Sequence, residues 1–126
     1  MAEITPDQIY DVIGRAGFEK LVEGFYRRVA SDDLLRPMYP EADLKPAQHR
    51  LQLFLEQYFG GPTTYAEQRG HPRLRMRHAY FKIDQSARDR WVEHMTAALD
   101  EAEFAPEVTA VMRDYFENGA SFLMNT

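Results

Sequence analysis

Two histidines and five cationic side chains lie together in one short stretch of the chain. The stretch contains no acidic residue between Glu67 and Asp84, and its histidines are His71 and His78. The chain has 15 Lys and Arg against 20 Asp and Glu, so this basic segment holds a third of the positive charge: Arg69, Arg73, Arg75, Arg77 and Lys82. Arginine pairs with carboxylates and imidazole binds metals, so the segment suits a small anionic ligand that carries a metal. Haem, with two propionates and an iron atom, is a ligand of that kind.

The four histidines differ in their surroundings. His78 follows an Arg-rich entry and precedes three residues of a predicted short helix, which makes it a candidate metal ligand. His71 precedes Pro72, which favours an extended backbone and a hydrogen bond within a loop, although a metal or carboxylate contact stays open. His49 points away from the apolar stripe of its helix, and His94 lies at the edge of one, so both are expected to be structural or exposed. A zinc site would need further donors, and the chain has no cysteine.

Length and composition limit the class of protein. A chain of 126 residues is expected to form a single domain over 1–126. The absence of cysteine excludes disulfides and thiolate metal sites. The N-terminus lacks the features of a signal peptide and no apolar run is long enough to span a bilayer, so a cytoplasmic location without membrane contact is expected. A net charge of −5 argues against binding to nucleic acid.

The positions of apolar residues predict helices nearly throughout, without strand-like alternation. Helices are expected at 5–14, 18–30, about 46–59, 74–81, from Asp84 and from Pro106, and a loop is expected at 62–72. Apolar faces are expected from Leu21, Val22, Phe25, Tyr26 and Val29; from Ala47, Leu51, Phe54, Leu55 and Tyr58; from Trp91, Met95, Ala98, Leu99 and Ala102; and from Val108, Val111, Met112, Tyr115, Phe116, Phe122 and Leu123. The sequence therefore predicts an all-α domain.

Several motifs resemble the truncated haemoglobins of group II. They are Tyr26, the run YPEADL from Tyr39, FLEQYFGGP from Phe54, TYAEQRGHPRLRMRH from Thr64, and Trp91, the only tryptophan. The resemblance covers about residues 8–124 and implies a shortened globin, in which a two-over-two helical sandwich surrounds haem b. The family often has a Gly-Gly pair between its first two helices, whereas this chain has Gly14-Arg15 and then Gly17.

The resemblance also implies roles for individual residues. His78 would be the proximal iron ligand, and Tyr26, Tyr39 and Trp91 would be hydrogen-bond donors that stabilise a bound gas on the distal side. Ala47 would occupy the place of a conventional distal histidine. The other haem-binding candidates are Arg50, Leu51, Phe54, Arg75, Arg77 and Met112, with the arginines as partners of the propionates.

The function expected from these residues is reversible binding of O2, CO or NO at a haem iron. Tight oxygen binding would favour redox chemistry, either oxidation of NO to nitrate or a peroxidase-like reaction, with a separate reductase as electron donor. The alternative is a protein for oxygen storage, transport or sensing without turnover. A third interpretation is a helical adaptor that uses the basic segment to bind an acidic partner. The protein would be a monomer or a homodimer.

Overall fold

The computed structural model describes residues 4–70 and 83–124. These ranges contain five α-helices and no strand, which confirms the all-α prediction. The helices are α1 (Ile9–Val29), α2 (Lys45–Tyr58), α3 (Thr64–Arg69), α4 (Gln85–Ala102) and α5 (Pro106–Phe122), with 3-10 turns at Pro6–Gln8 and Arg36–Met38. No helix in the described ranges is long and apolar enough to cross a membrane.

Helix α1 is bent at Gly14, where the backbone has φ +63° and ψ −178°. This conformation lies outside the helical region and is open essentially to glycine alone. The two helices predicted at 5–14 and 18–30 are therefore parts of one bent helix that changes direction at this residue. The bend lets the first turns of α1 reach the end of α2, where the Tyr10 N–H donates to the Phe59 carbonyl at 2.9 Å.

The starts of the two C-terminal helices follow local signals in the sequence. The Asp84 carboxylate accepts a hydrogen bond from the Ala87 N–H at 2.9 Å, which caps the first turn of α4. Pro106 is the first residue of α5, where its missing N–H leaves no hydrogen bond unmade. Both predicted helix starts are confirmed.

Helix α3 was not predicted, because 62–72 was expected to be a loop. The side-chain oxygen of Gln57, on α2, accepts a hydrogen bond from the Ala66 N–H at 2.9 Å. Tyr65 is buried beside Phe54, with ring centroids 5.4 Å apart. Contacts with α2 therefore stabilise a helix that is too short to be stable by itself. The helix predicted at 74–81 lies outside the described residues.

The helices form two layers, in which α1 packs against α2 and α4 packs against α5, while α1 also contacts α4. Helix α1 lies close to α4 at Gly24, where a Cβ would make an ordinary contact with the Ala98 Cβ at 3.4 Å. Most predicted apolar faces are buried, but Tyr58 and Phe122 are 44% and 61% exposed. Each is the last residue of its helix, and the Tyr58 ring still packs against Tyr115, with ring centroids 4.1 Å apart.

Candidate functional site

A cavity of about 410 Å3 lies between the two helical layers. Its size falls within the roughly 300–1,000 Å3 typical of ligand pockets. Most of its wall is apolar, and side chains from all five helices and from the segment between α1 and α2 contribute to it, including Tyr26, Leu35, Ala47, Phe54, Tyr65, Trp91 and Phe116. The fold therefore holds a largely apolar space for a ligand of some size between the helices.

The lining of this cavity includes most of the site residues that the sequence predicted within the described ranges: Tyr26, Tyr39, Ala47, Arg50, Leu51, Phe54 and Trp91. Met112 is fully buried but is not part of the lining. It therefore belongs to the packed core of α5. His71, His78, Arg75 and Arg77 lie outside the described residues.

Tyr26 and Tyr39 place two phenol groups on the same side of the cavity. Their rings meet edge to face, with centroids 5.6 Å apart. Burial, reinforced by the neighbouring Tyr39, raises the pKa of Tyr26 well above its usual value. Burial also raises the pKa of Tyr39. Both phenols therefore stay protonated at neutral pH and can donate hydrogen bonds into an apolar space.

Trp91 reaches the cavity from α4 and is supported by aromatic packing. Its ring centroid lies 5.1 Å from that of Phe25 and 5.7 Å from that of Phe116. Phe25 in turn lies 5.0 Å from Tyr26, edge to face. This aromatic cluster joins α1, α4 and α5 and brings the indole and Tyr26 to the lining of one cavity.

Cationic side chains lie at the polar part of the lining. Arg50 donates to a Glu41 oxygen at 2.7 Å, and this hydrogen bond holds the pKa of Glu41 below its usual value. The other Glu41 oxygen is buried without a hydrogen-bond partner among the described residues. The Glu41–Arg50 pair was not predicted, because the two side chains meet across the turn that precedes α2.

Two further arginines line the cavity without having been selected for this role. Arg69, from the basic segment, is exposed but contributes to the lining. Arg88 donates to Ser121 Oγ at 3.1 Å and to the Glu117 carbonyl at 3.2 Å, which ties α4 to α5 beside the cavity. Arg88 precedes Trp91 by three residues, and this spacing on a helix could have indicated that the two share a face.

The arrangement fits a large, flat and mainly apolar ligand that carries negative charge at one edge. The wall supplies aromatic surface, the phenols and the indole supply uncharged donors, and the arginines supply partners for carboxylates. No group of three or more His, Asp or Glu side chains in the described ranges could hold a metal ion on its own. Haem, which brings its iron with it, matches these properties.

Comparison with known proteins agrees with the fold. The family model for bacterial-like globins matches residues 8–125. The chain is 38% identical to the group 2 truncated hemoglobin YjbI of Bacillus subtilis, over 92% of this chain and 87% of that protein. Among solved structures, the hemoglobin of Chloroflexus aurantiacus is 52% identical with a TM-score of 0.91, covering 94% of this chain and 98% of that one. The hemoglobin of Thermobifida fusca is 47% identical, also with a TM-score of 0.91, covering 93% and 96%.

Fold and cavity together define a truncated globin, built as two helical layers around a ligand space. The chain belongs to the bacterial-like globin family. Membership in this family implies a haem cofactor and binding of O2 or related gases at that haem.

Proposed function

We propose that the chain holds haem b through His78, binds O2 reversibly, and uses it for redox chemistry with NO. The observation that carries this proposal is the convergence of Tyr26, Tyr39 and Trp91 on one largely apolar cavity. A relative that is 38% identical, from Bacillus subtilis, is described as a truncated oxygen-avid haemoglobin, which supports firm oxygen binding here.

Haem supplies, when bound, a redox-active iron with one coordination position open to a diatomic ligand. His78 would supply the protein ligand on the proximal side, as a neutral imidazole. Arg50, with Arg75 and Arg77 from the basic segment, would pair with the propionates. Leu51 and Phe54 would pack against the flat face of the ring, and Met112 would support that wall from the core.

The distal residues would act on the gas ligand by donating hydrogen bonds. O2 is more polar than CO when it is a haem ligand, so the Tyr26, Tyr39 and Trp91 donors would favour O2 over CO. Ala47 carries no donor and little bulk, so it leaves room beside the ligand. The apolar wall excludes water, which strengthens each of these hydrogen bonds.

Firm retention of oxygen favours a redox role over delivery, because slow release limits transport. NO, O2 and one electron give one nitrate ion, so each turnover requires an electron from a separate reductase. A peroxidase-like reaction would use the same cavity with a small reducing donor. The second candidate function is storage, transport or sensing of O2, which the same pocket would serve without an electron donor.

The test is to reduce the haem-loaded protein anaerobically, add O2, and mix the complex rapidly with NO. One nitrate for each haem, a ferric spectrum and repeated cycling with an added reductase are expected. Slow nitrate formation together with fast O2 release would contradict the redox proposal and favour the carrier. A protein that shows no Soret absorbance after haem addition would exclude both and restore the adaptor interpretation.

A further inference from the structure

A buried carboxylate connects the end of α1 with the turn of α4 that carries Trp91. The Asp32 side chain is 2% exposed and accepts hydrogen bonds from the N–H groups of Leu34 and Leu35 at 2.7 and 2.9 Å. It also accepts from Arg90 Nη1 at 3.1 Å, and its Oδ2 lies 2.6 Å from Nε2 of His94. Because a carboxylate has about four acceptor positions, this network satisfies Asp32 fully.

The donors to Asp32 come from two parts of the fold, namely α4 and the segment that follows α1. Arg90 precedes Trp91 directly, and His94 follows it by three residues, one turn further along α4. Leu35 is buried and lines the cavity. The network therefore ties the backbone beside Leu35 to the helical turn from which Trp91 projects.

The charge of Asp32 is maintained by its surroundings. The hydrogen bonds from His94, Leu35, Leu34 and Arg90 outweigh burial and hold the pKa of Asp32 far below its usual value. Asp33 is the other acidic group near this cluster, 3.4 Å from Arg90 Nη1, and its side chain is 94% exposed. Asp32 is thus a buried, charged and fully hydrogen-bonded anchor, whereas Asp33 is exposed to solvent.

We infer that Asp32 is a positioning residue for the gas-binding site. Through Arg90 and His94 it holds Trp91 in register with Tyr26 and Tyr39. The Trp91 ring packs against Phe25 and Phe116, so its place in the cavity follows the position of the α4 backbone. Loss of the anchor would let this turn of α4 shift and would weaken the hydrogen bond that the indole donates. The inference rests on the proposed function.

A second ion-pair cluster joins the same two helices and provides a matched control. Glu101, on α4, accepts hydrogen bonds from Arg27 and Arg28, on α1, and none of the three lines the cavity. The Glu101 side chain is 42% exposed. It lies ten residues beyond Trp91, about 15 Å along the helix. Glu101→Gln removes a charge between α1 and α4 without touching the turn that carries Trp91.

The experiment compares haem-loaded Asp32→Asn, His94→Leu, His94→Gln, Glu101→Gln and Trp91→Phe with the parent protein. Two quantities are measured: O2 dissociation by displacement with CO, and the C–O stretching frequency of the CO complex, which rises when a nearby donor is lost. Asp32→Asn and His94→Leu should release O2 about 3–30-fold faster and should raise the C–O stretching frequency. The upper end of that range corresponds to the loss of most of one charge-assisted hydrogen bond. His94→Gln retains a donor and should recover part of the effect, while Glu101→Gln should change the rate less than twofold.

The outcomes separate the two proposals. If Trp91→Phe releases O2 faster but Asp32→Asn and both His94 variants behave like the parent, the positioning role is wrong and the proposed function stands. If Glu101→Gln changes the O2 release rate as much as Asp32→Asn does, the cause is a general loosening of α1 against α4, and this result would also overturn the inference. Failure of Trp91→Phe to alter either quantity would refute the role of the indole and the inference that depends on it. If Asp32→Asn does not fold, the His94 pair still tests the network.

Discussion

The rings of Tyr26 and Tyr39 meet edge to face at the cavity, with centroids 5.6 Å apart and planes inclined at 77°. Tyr26 comes from α1 and Tyr39 from the turn before α2, so tertiary folding brings the two phenols together. Because the two rings are in contact, replacing one side chain changes the packing that positions the other phenol. This coupling determines how the distal variants should be compared.

Trp91→Phe keeps an aromatic ring in the cavity but removes the indole N–H. A hydrogen bond to a partly charged acceptor is worth about 1.5–3 kcal/mol, so O2 should dissociate roughly 10–150-fold faster. Tyr26→Phe alone should show a smaller effect, because Tyr39 remains as a donor, and the two losses need not add. Stopped-flow displacement of O2 by CO measures both. Unchanged release in Trp91→Phe and in the double variant would show that these donors do not hold the ligand.

His78→Ala should abolish stable haem retention, or leave a haem complex that added imidazole restores. The prediction follows from the position of His78 at the end of the motif that runs from Thr64. His71→Ala is the control within the same basic segment and should keep a normal spectrum. Haem loss in His71→Ala with retention in His78→Ala would reverse the assignment.

Arg50→Glu should speed haem transfer to an acceptor apoprotein by roughly 10–150-fold, the range expected for one charge-assisted hydrogen bond. Arg50 lines the cavity and is paired with Glu41, so reversal also places two carboxylates side by side. The same reversal at Arg75 and Arg77 should have a similar effect.

The control for this reversal is Lys45→Glu, which makes the same change of charge on α2 at an exposed position outside the lining. Arg69 does not serve as a control, because it contributes to the cavity. Equal transfer rates in Arg50→Glu and Lys45→Glu would mean that the positive charges act only through a diffuse field.

Gly60→Ala should destabilise the fold by at least about 2 kcal/mol in urea unfolding, through backbone strain and overlap. Gly60 has φ +94°, and a Cβ there would lie 1.9 Å from the Asp7 carbonyl oxygen. Gly14 has φ +63° with open space around its Cβ position, so Gly14→Ala should cause backbone strain without steric overlap. A smaller loss in Gly60→Ala than in Gly14→Ala would contradict the close approach.

Asp32 should make the fold sensitive to acid. Hydrogen bonds hold the pKa of Asp32 in the folded protein well below its value of about 3.9 in the unfolded chain. The contribution of Asp32 to the free energy of unfolding is therefore complete above about pH 3.9 and is lost as the pH falls below that value. In Asp32→Asn the free energy of unfolding should be lower by about 3 kcal/mol at neutral pH, since the buried charge pair is broken, and should vary less between pH 5 and 2. An acid transition as steep as in the parent would exclude Asp32 as its source.

The sequence by itself determined where the two C-terminal helices start, most of the apolar faces that the helices bury, and the position near Gly14 at which the first stretch of helix ends. Asp84, Pro106 and Gly14 act through local geometry, and the spacing of apolar residues repeats every turn. These features depend on residues within a few positions of each other, so they can be recognised without knowing the fold.

Only the tertiary structure decided which polar groups meet. Helix α3 depends on Gln57 from α2, and Asp32 meets His94 across 62 residues of sequence. Arg50 has its partner, Glu41, beyond the start of its own helix. Such pairs depend on how the helices cross, and on the need of each buried charge for a partner that donates hydrogen bonds or carries the opposite charge. No local pattern encodes them, because each depends on packing that exists only once the chain has folded.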